Sequence, residues 1–153
     1  MRAMQSNTYS ATINAPVQKV WDTMLSDATY RQWTDAFYPG SYYEGDWEKG
    51  SDIQFLGPDE DGNLGGLSGT IIENKPHEFI SIEYKGEIIN GELDTTSESS
   101  LSWAGATENY TFSEQDGVTT VTVELASTVD IDEMMGDAWP KGLAKLKELC
   151  EAA

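Results

Sequence analysis

The spacing of apolar residues changes along the chain from a period of two to a helical period and back again. Residues 8–13 alternate between apolar and polar side chains, which is typical of a half-buried strand. Asn14 and Pro16 follow, and they suit the cap and the first turn of a helix. The next apolar residues recur at helical spacing, and they are Val17, Val20, Trp21, Met24 and Leu25. The pattern predicts a strand, an amphipathic helix and a second short helix from Asp27, its cap, to Trp33.

Beyond residue 40 the apolar residues return to a period of two, which is typical of strands with one buried face. The pattern predicts six further strands, at residues 42–47, 52–56, 67–73, 79–88, 107–113 and 119–126. Gly50 and Gly117 lie where hairpin turns need a positive φ, and Pro76 ends a ladder because it has no N–H to donate. The two remaining stretches, 57–66 and 90–102, are rich in small and acidic residues and are predicted to be loops.

The C-terminal residues carry the pattern of a long helix. Its apolar stripe recurs every three to four residues and comprises Met135, Trp139, Leu143, Leu146, Leu149 and Cys150. Lysines occupy the opposite face, where cations near a helix C-terminus suit the helix dipole. Because Pro140 would break the interior of a helix, we expect the main helix to begin near Asp137, after a short turn at 130–136.

The predicted order of elements is one strand, two short helices, six strands and a long helix. Strands and helices do not alternate, so a parallel nucleotide-binding sheet is excluded. The pattern predicts an α+β fold in which a curved antiparallel sheet of about six to seven strands surrounds the C-terminal helix. The sequence has no internal repeat and no linker, and residues 1–153 are expected to form a single domain.

Acidic residues outnumber basic ones by 27 to 9, which gives a formal net charge of −18. Between Gly86 and Pro140 there are twelve Asp or Glu residues and no Lys or Arg. Such a surface repels phosphate groups, so neither nucleic acid nor an anionic membrane is an expected partner. We interpret the charge as a well-solvated surface. A cation- or base-binding face and adaptation to a salty cytoplasm are the alternatives.

The chain has one cysteine, Cys150, and one histidine, His77. This composition excludes an intramolecular disulfide, gives little support for a Ser-His-Asp or Cys-His catalytic site, and leaves no ligand cluster for zinc. No apolar run reaches the length of a signal-peptide core or of a membrane span, so a cytoplasmic protein is expected. His77 follows Pro76 in a predicted turn and is expected to be exposed.

The segment 57–69 reads GPDEDGNLGGLSG and partly matches two kinds of ligand-binding loop. It lacks the Gly-Lys-Ser/Thr ending of a phosphate-binding loop. In a calcium loop Leu64 would be glycine and Thr70 would be the bidentate glutamate, so neither a metal nor another cofactor is predicted. The functional alternatives for this segment are weak cation binding and a flexible lid over a cavity.

The two ends of the chain resemble a known superfamily. TINAPVQKVW at residues 12–21 is similar to the opening strand and helix of the START-like superfamily, also called SRPBCC. GDAWPKGLAKLK at residues 136–147 resembles the closing helix of one branch, the bacterial homologues of the activator of heat-shock-protein-ninety ATPase. The resemblance implies a helix-grip fold with an internal cavity for small apolar or aromatic molecules. The superfamily includes lipid carriers, hormone receptors, polyketide cyclases and co-chaperone domains, so the fold alone does not select a function.

The residues that would line such a cavity follow from the parity of the strands and the stripe of the helix. The candidates on the strands are Phe55, Ile82, Tyr84, Glu108 and Tyr110, those on the helix are Met135, Trp139 and Leu143, and Trp33 and Phe37 are placed near the mouth. Each of them is also explained by packing in an ordinary core. As a group they carry several polar tips, which need partners such as water or a ligand when they are buried.

Glu108 is the candidate with the clearest chemical consequence, because it shares the inward parity of Tyr110. A buried carboxylate is costly unless it is paired or neutral, and it can bind a ligand hydroxyl or act as an acid or base. The alternative is that Glu108 reaches solvent at the start of its strand. We predict a non-enzymatic binder of a small apolar or aromatic molecule, present as a monomer or weak dimer. A cyclase- or dehydratase-like enzyme that uses Glu108, and a chaperone-associated interaction module, are the alternatives.

Overall fold

Eight antiparallel strands form one sheet in the computed structural model, which describes residues 5–128 and 136–152. The strands are β1 (Gln5–Ile13), β2 (Tyr42–Gly45), β3 (Asp52–Pro58), β4 (Leu64–Lys75), β5 (Phe79–Ile89), β6 (Glu92–Asp94), β7 (Thr107–Gln115) and β8 (Val118–Ser127). The helices are α1 (Val17–Leu25), α2 (Asp27–Phe37), α3 (Glu98–Trp103) and α4 (Ala138–Glu151). This order confirms the predicted α+β fold, with one more strand than the pattern indicated.

The sheet has the strand order β1-β8-β7-β5-β4-β3-β2, and β6 pairs with the last residues of β5. The ladder between β4 and β5 has two register shifts, one between Ser68 and Gly69 and one between Ile71 and Glu73. Irregularities of this kind bend a strand and increase its twist. They give the long central strands the curvature that a sheet needs to enclose a helix.

The C-terminal helix α4 packs against α2 and against β1. Its buried stripe comprises Trp139, Gly142, Leu143, Leu146 and Cys150. Gly142 lets the two helices approach closely, since a Cβ at this position would lie 3.2 Å from the Cβ of Phe37. The helix begins directly after Asp137, so Pro140 lies in its first turn, as predicted. Most of the predicted turn at 130–136 lies outside the described residues.

The second helix differs from its prediction at both ends. Ser26 has the extended backbone of a cap, whereas Asp27 is already helical and lies in the first turn. The prediction that Asp27 caps the helix is therefore wrong, although a carboxylate in the first turn still suits the helix dipole. The helix continues beyond Trp33 to Phe37, which adds one further turn facing α4.

The two stretches that were predicted as loops are more ordered than expected. The stretch 90–102 contains β6 and most of α3, and Ser97 caps α3 by accepting a hydrogen bond from the backbone N–H of Ser100 at 3.2 Å. The stretch 57–66 is a hairpin, because β3 continues to Pro58 and β4 begins at Leu64. The sequence pattern did not reveal the structure of either stretch, because both are polar and neither carries a stripe of apolar residues.

The corner between α1 and α2 is tied to the sheet by aromatic side chains. The backbone carbonyl of Leu25, at the end of α1, accepts hydrogen bonds from Nε1 of Trp47 at 3.0 Å and from the hydroxyl of Tyr43 at 2.6 Å. Trp33 of α2 donates through Nε1 to the carbonyl of Met24 at 3.0 Å. The last carbonyls of a helix have no partner within it, and these three rings supply the missing donors.

Apolar side chains from the sheet and the helices form a continuous core. Its fully buried aliphatic members are Ile13, Val20, Met24, Ile53, Ile71, Ile80, Ile82, Val121, Val123 and Leu146.

The longest described helix, α4, has 14 residues. Within residues 5–128 and 136–152, no helix has both the length and the apolar character needed to cross a membrane.

Candidate functional site

A cavity of about 400 Å³ lies between α2, α4 and the inner face of the sheet. Aromatic residues are the largest group in its wall, and they are Tyr30, Trp33, Phe37, Tyr38, Phe55, Tyr84, Trp103, Tyr110 and Trp139. The remaining wall includes three carboxylic residues, Asp59, Glu87 and Glu108. We call this space the aromatic cavity.

The aromatic cavity is built where α2 and α4 meet. Trp33 and Phe37 lie on one face of α2, because they are four residues apart, and both rings contact Trp139 of α4. Their ring centroids lie 6.3 and 4.9 Å from that of Trp139. From the sheet, Tyr110 reaches Trp139 with its centroid at 6.4 Å. The rings therefore touch at their edges and leave space between them.

Glu108 lies at the inner end of this space. It is 7% exposed, and its neighbours across the ladder are the apolar residues Ile82 on β5 and Leu125 on β8. Tyr110, two residues later on the same face of β7, donates a short hydrogen bond from its hydroxyl to Oε2 of Glu108. Tyr84 of β5 also hydrogen-bonds the carboxyl group. The expected inward orientation of Glu108 is confirmed by these contacts, and its strand does not carry it to solvent.

The surroundings of Glu108 change its acidity. Burial among apolar neighbours raises the pKa of Glu108 to about 7, and the hydrogen bonds from Tyr110 and Tyr84 oppose that rise. Burial, with the nearby carboxylate, also raises the pKa of Tyr30, Tyr84 and Tyr110 well above the usual value of a phenol. The three tyrosines therefore keep their protons near neutral pH, whereas Glu108 is present in both its protonated and its charged form.

Two further polar atoms of the wall are buried without a hydrogen-bond partner among the described residues. They are Nε1 of Trp139, a donor, and Oε1 of Glu87, an acceptor. Buried polar groups in folded proteins are nearly always paired with protein, water or ligand. Both atoms belong to residues of the cavity wall, but neither is exposed to the space itself.

The family of the chain is decided by a comparison with family models. The model described as activator of Hsp90 ATPase homolog 1-like protein matches residues 14–151. The chain belongs to this family. The match confirms the branch that the two ends of the sequence resemble, and it covers the whole wall of the aromatic cavity.

Solved structures with the fold of this activator homologue come from several bacteria. A protein from Chromobacterium violaceum has a TM-score of 0.71 and 16% identity over 97% of this chain and 98% of that chain. The Aha1 dimer from Colwellia psychrerythraea has a TM-score of 0.69 and 16% identity over 96% of each chain. CalU16 from Micromonospora echinospora has a TM-score of 0.62 and 20% identity over 99% of this chain and 85% of that chain. Identities this low show a shared fold. A search of curated proteins found no match.

Most of the predicted site residues of this activator homologue line the cavity together. They are Trp33, Phe37, Phe55, Tyr84, Glu108, Tyr110 and Trp139. Ile82 and Leu143 are buried in the core and are not among the lining residues, because their aliphatic side chains are fully packed. Met135 lies outside the described residues.

The sequence interpretation missed three lining residues that matter chemically. Tyr30 precedes Trp33 by three positions on α2, and helical spacing alone would have placed it on the same face. Trp103 ends α3, in a stretch that was predicted as a loop. Glu87 follows Gly86 near the end of β5, where a position in the wall is not evident from strand parity.

The mouth of the cavity in this activator homologue is bounded by the hairpin between β3 and β4. Gly57 and Asp59 line it, as do Gly65 and Gly66. The hydroxyl of Tyr38 donates to the carbonyl of Pro58 at 2.7 Å, which links the end of α2 to the hairpin. A Cβ at Gly57 would lie 3.1 Å from the Tyr38 ring, so the glycine makes room for this contact. The rim is therefore a short hairpin held by one side chain.

His77 and the acidic loop carry little chemistry in this activator homologue. His77 is exposed in the turn before β5, with a φ of 66°, and its ring meets the ring of Trp21 edge to face at 5.7 Å. Within the described ranges, no group of three or more His, Cys, Asp or Glu is placed to hold a metal ion.

Proposed function

We propose that this protein binds a small apolar or aromatic molecule in the aromatic cavity, with Glu108, Tyr84 and Tyr110 orienting the ligand. The observation that carries the proposal is a cavity of about 400 Å³ whose aromatic wall surrounds a buried carboxyl group. Ligand sites are typically concave, mostly apolar and fitted with a few convergent polar groups, and their volumes begin near 300 Å³.

The proposed binding energy comes from apolar contact, and the polar atoms supply orientation. Rings on three sides provide large contact areas at a low cost in side-chain entropy. Glu108 accepts hydrogen bonds when it is charged and donates one when it is neutral, and the hydroxyls of Tyr84 and Tyr110 lie beside it. A ligand hydroxyl or carbonyl placed between them would be held in one orientation.

The direct test is binding of an uncharged fluorescent probe, N-phenyl-1-naphthylamine, followed by quenching of the tryptophans. Trp33, Trp103 and Trp139 line the cavity, so energy transfer from these residues reports occupancy without a label. We expect saturable one-to-one binding. Phe37→Ala should weaken it at least about fivefold, because this ring forms part of the wall.

Phe79→Ala is the matched control for that variant. Phe79 is half-buried like Phe37, but it lies on β5 outside the cavity wall. Its replacement should leave the affinity for the probe within about twofold of the unaltered protein. Absence of saturable binding, or equal weakening by both variants, would count against the cavity as the binding site.

A second candidate function is proton transfer to or from a bound substrate. It is favoured by one observation, a buried Glu108 whose pKa of about 7 suits a general acid or base at neutral pH. The test is exchange of the α-hydrogens of 2-tetralone, an apolar aromatic ketone, in deuterated water. We expect exchange that is faster with the protein than with Glu108→Gln when both are saturated with the ketone, so that a difference in affinity does not enter the comparison. Equal exchange rates would count against proton transfer and would leave ligand binding as the proposed function.

The third alternative, an interaction module, is supported by the relative from Colwellia psychrerythraea, which is described as a dimer. Among residues 5–128 and 136–152, the exposed large apolar residues are Tyr38, Ile72, Ile89, Leu93 and Leu101. We expect a monomer or weak dimer, and light scattering during gel filtration over a range of concentrations measures this. A dimer that persists at nanomolar concentration would raise the interaction function above ligand binding.

A further inference from the structure

We infer that the ligand of the aromatic cavity is an organic cation, an apolar or aromatic body that carries a protonated amine directed at Glu108. The inference rests on the proposed binding function and names its ligand class. It follows from the charges of the wall, the rings that line the same cavity as the carboxyl group and the unused hydrogen-bonding capacity of that group.

The ionisable side chains of the cavity wall, other than tyrosines, are all acids. They are Asp59, Glu87 and Glu108, and the wall contains no Lys, Arg or His among the described residues. A carboxylate ligand would therefore enter without a counter-charge, close to a buried acid. The whole chain adds to this effect, because its formal net charge of −18 repels anions and attracts cations.

The rings of the wall provide a second attraction for a cation. The face of an aromatic ring is electronegative, and a cation within about 6 Å of its centre gains about 0.5–2 kcal/mol, with the larger values in desolvated sites. Trp33, Tyr110 and Trp139 line the same cavity as Glu108, and the centroids of Trp33 and Tyr110 lie 6.3 and 6.4 Å from that of Trp139. A cation held by the carboxylate would therefore lie among several ring faces.

Glu108 retains capacity to bind such a group. Its carboxyl group is contacted by the hydroxyls of Tyr110 and Tyr84, whereas a carboxylate accepts about four hydrogen bonds. An ammonium group has up to three N–H donors, which matches acceptor positions that remain on this carboxylate.

The charge state of Glu108 links amine binding to pH. The titratable groups near it are Tyr84 from β5, Tyr110 from its own strand and Tyr30 from α2, and all three remain neutral in this range. From α4 the nearest wall residue is Trp139, which does not titrate. An ammonium group favours the charged carboxylate, so amine binding below about pH 7 requires Glu108 to release a proton.

The test compares three ligands that share one aromatic body. They are 2-naphthylmethylamine, 2-naphthalenemethanol and 2-naphthoate, which present a cation, a neutral hydroxyl and an anion. Isothermal titration at pH 8 in 0.2 M NaCl, which screens the outer surface, should give the amine at least about tenfold tighter binding than the alcohol. The naphthoate should not bind. Affinity for the amine should fall by up to about tenfold per pH unit below pH 7, whereas affinity for the alcohol should stay level.

Glu108→Gln should reduce the preference for the amine over the alcohol to about twofold or less, because it removes the negative charge that the ammonium needs, whereas glutamine can still hydrogen-bond the hydroxyl of the alcohol. Glu83→Gln is the matched control, since it removes an exposed carboxylate from β5 outside the wall and should keep the preference. An alcohol that binds as tightly as the amine, or a preference that survives Glu108→Gln, overturns the inference and leaves the binding function standing. If neither the alcohol, the amine nor the neutral probe binds, the proposed function itself fails.

Discussion

The interior of this protein has two halves that differ in kind. One half is aliphatic and closed, and Ile13, Val20, Val121 and Leu146 are fully buried in it. The other half is aromatic and surrounds a space of about 400 Å³, with the buried carboxyl group of Glu108 in its wall. Both halves lie between the same sheet and the same helix α4.

The difference shows that the cavity follows from the choice of side chains and not from the fold. Flexible aliphatic side chains interdigitate to the density of an organic crystal and leave no room. Rigid rings with polar tips meet edge to face and need partners for those tips, so they enclose space that a second molecule can use. One half of the core is therefore expected to determine stability, and the other half to determine binding.

The largest test of this contrast is Leu146→Ala, in the middle of the aliphatic half. Leu146 is 0% exposed, so its truncation leaves a void that rigid neighbours fill only in part. We expect a loss of about 4 kcal/mol in the free energy of unfolding, measured by urea denaturation. Affinity for the neutral probe should be unchanged in the protein that remains folded.

Leu101→Ala makes the same substitution on α3, where the side chain is 57% exposed. It should change the free energy of unfolding by less than about 0.5 kcal/mol. Similar losses in the two variants would show that burial is not what separates the halves.

The next effect is a gain in stability from Glu108→Gln. The folded carboxyl group keeps its proton up to a pKa of about 7, while the ordinary value is 4.5. The folded state therefore binds more protons than the unfolded state between these values, so the contribution of Glu108 to stability falls as the pH rises through this window. Glutamine has no proton to release, and it should be more stable than the unaltered protein by as much as about 3 kcal/mol at pH 8 and by about 1 kcal/mol at pH 5.

Paired urea titrations at the two pH values measure this difference directly. Because both chains carry almost the same total charge, the general repulsion of an acidic protein cancels between them. A difference that does not vary with pH would mean that Glu108 is charged in the folded state at pH 5.

A smaller effect is expected from Tyr110→Phe. The ring of Tyr110 is fully buried, so truncation to alanine would open a void in addition to removing a group of the cavity wall. Phenylalanine keeps the ring and removes only the hydroxyl that donates to Glu108. We expect a loss of about 2 kcal/mol at pH 8, where the acceptor is charged, and about 1 kcal/mol at pH 5.

The same urea measurements check this variant. At pH 8 the double variant with Glu108→Gln should be more stable than the sum of the two single changes predicts, because both changes remove the same contact. If the two changes in the free energy of unfolding simply add, the Tyr110 hydroxyl and the Glu108 carboxylate do not interact energetically.

The smallest effect should come from Tyr38→Phe at the mouth of the cavity. It removes the hydrogen bond to Pro58 across the rim and should change the free energy of unfolding by less than about 1 kcal/mol. Exchange of the neutral probe, followed by stopped-flow fluorescence, should become faster by about twofold to fivefold. Tyr42→Phe on β2, outside the wall, should leave the exchange rate unchanged.

Much of this architecture was predictable because it depends on periodic burial. The alternation around Tyr110 and the helical stripe through Trp139 each follow from one face of an element meeting the core. Those patterns predicted the seven main strands, α1 and the start of α4 after Asp137. They failed at α3 and β6, where a short element is held by a Ser97 cap and by pairing with β5 and has little apolar periodicity to reveal it.

The site was predictable as a set of inward residues but not as a cavity. Parity places Phe55, Ile82 and Tyr84 on the inner side, yet Ile82 is packed tightly while the other two line space. That distinction depends on how side chains from distant elements fit together, which a single chain pattern does not contain. Glu87 was missed for the same reason, since its place in the wall depends on α3 closing over the end of β5.

The carbonyl of Leu25 has a consequence for mutational scanning. The rings of Tyr43 on β2 and of Trp47 in the loop after β2 bind this one atom, yet it belongs to the backbone, so any side chain at position 25 presents it equally. Substitutions at position 25 therefore report only the packing of its side chain. Covariation between positions 25, 43 and 47 would not reveal the contact. The junction becomes visible only from the donor side, or by replacing one amide with an ester. Contacts between a side chain and a backbone atom therefore constrain a fold without producing a covariation signal in aligned sequences.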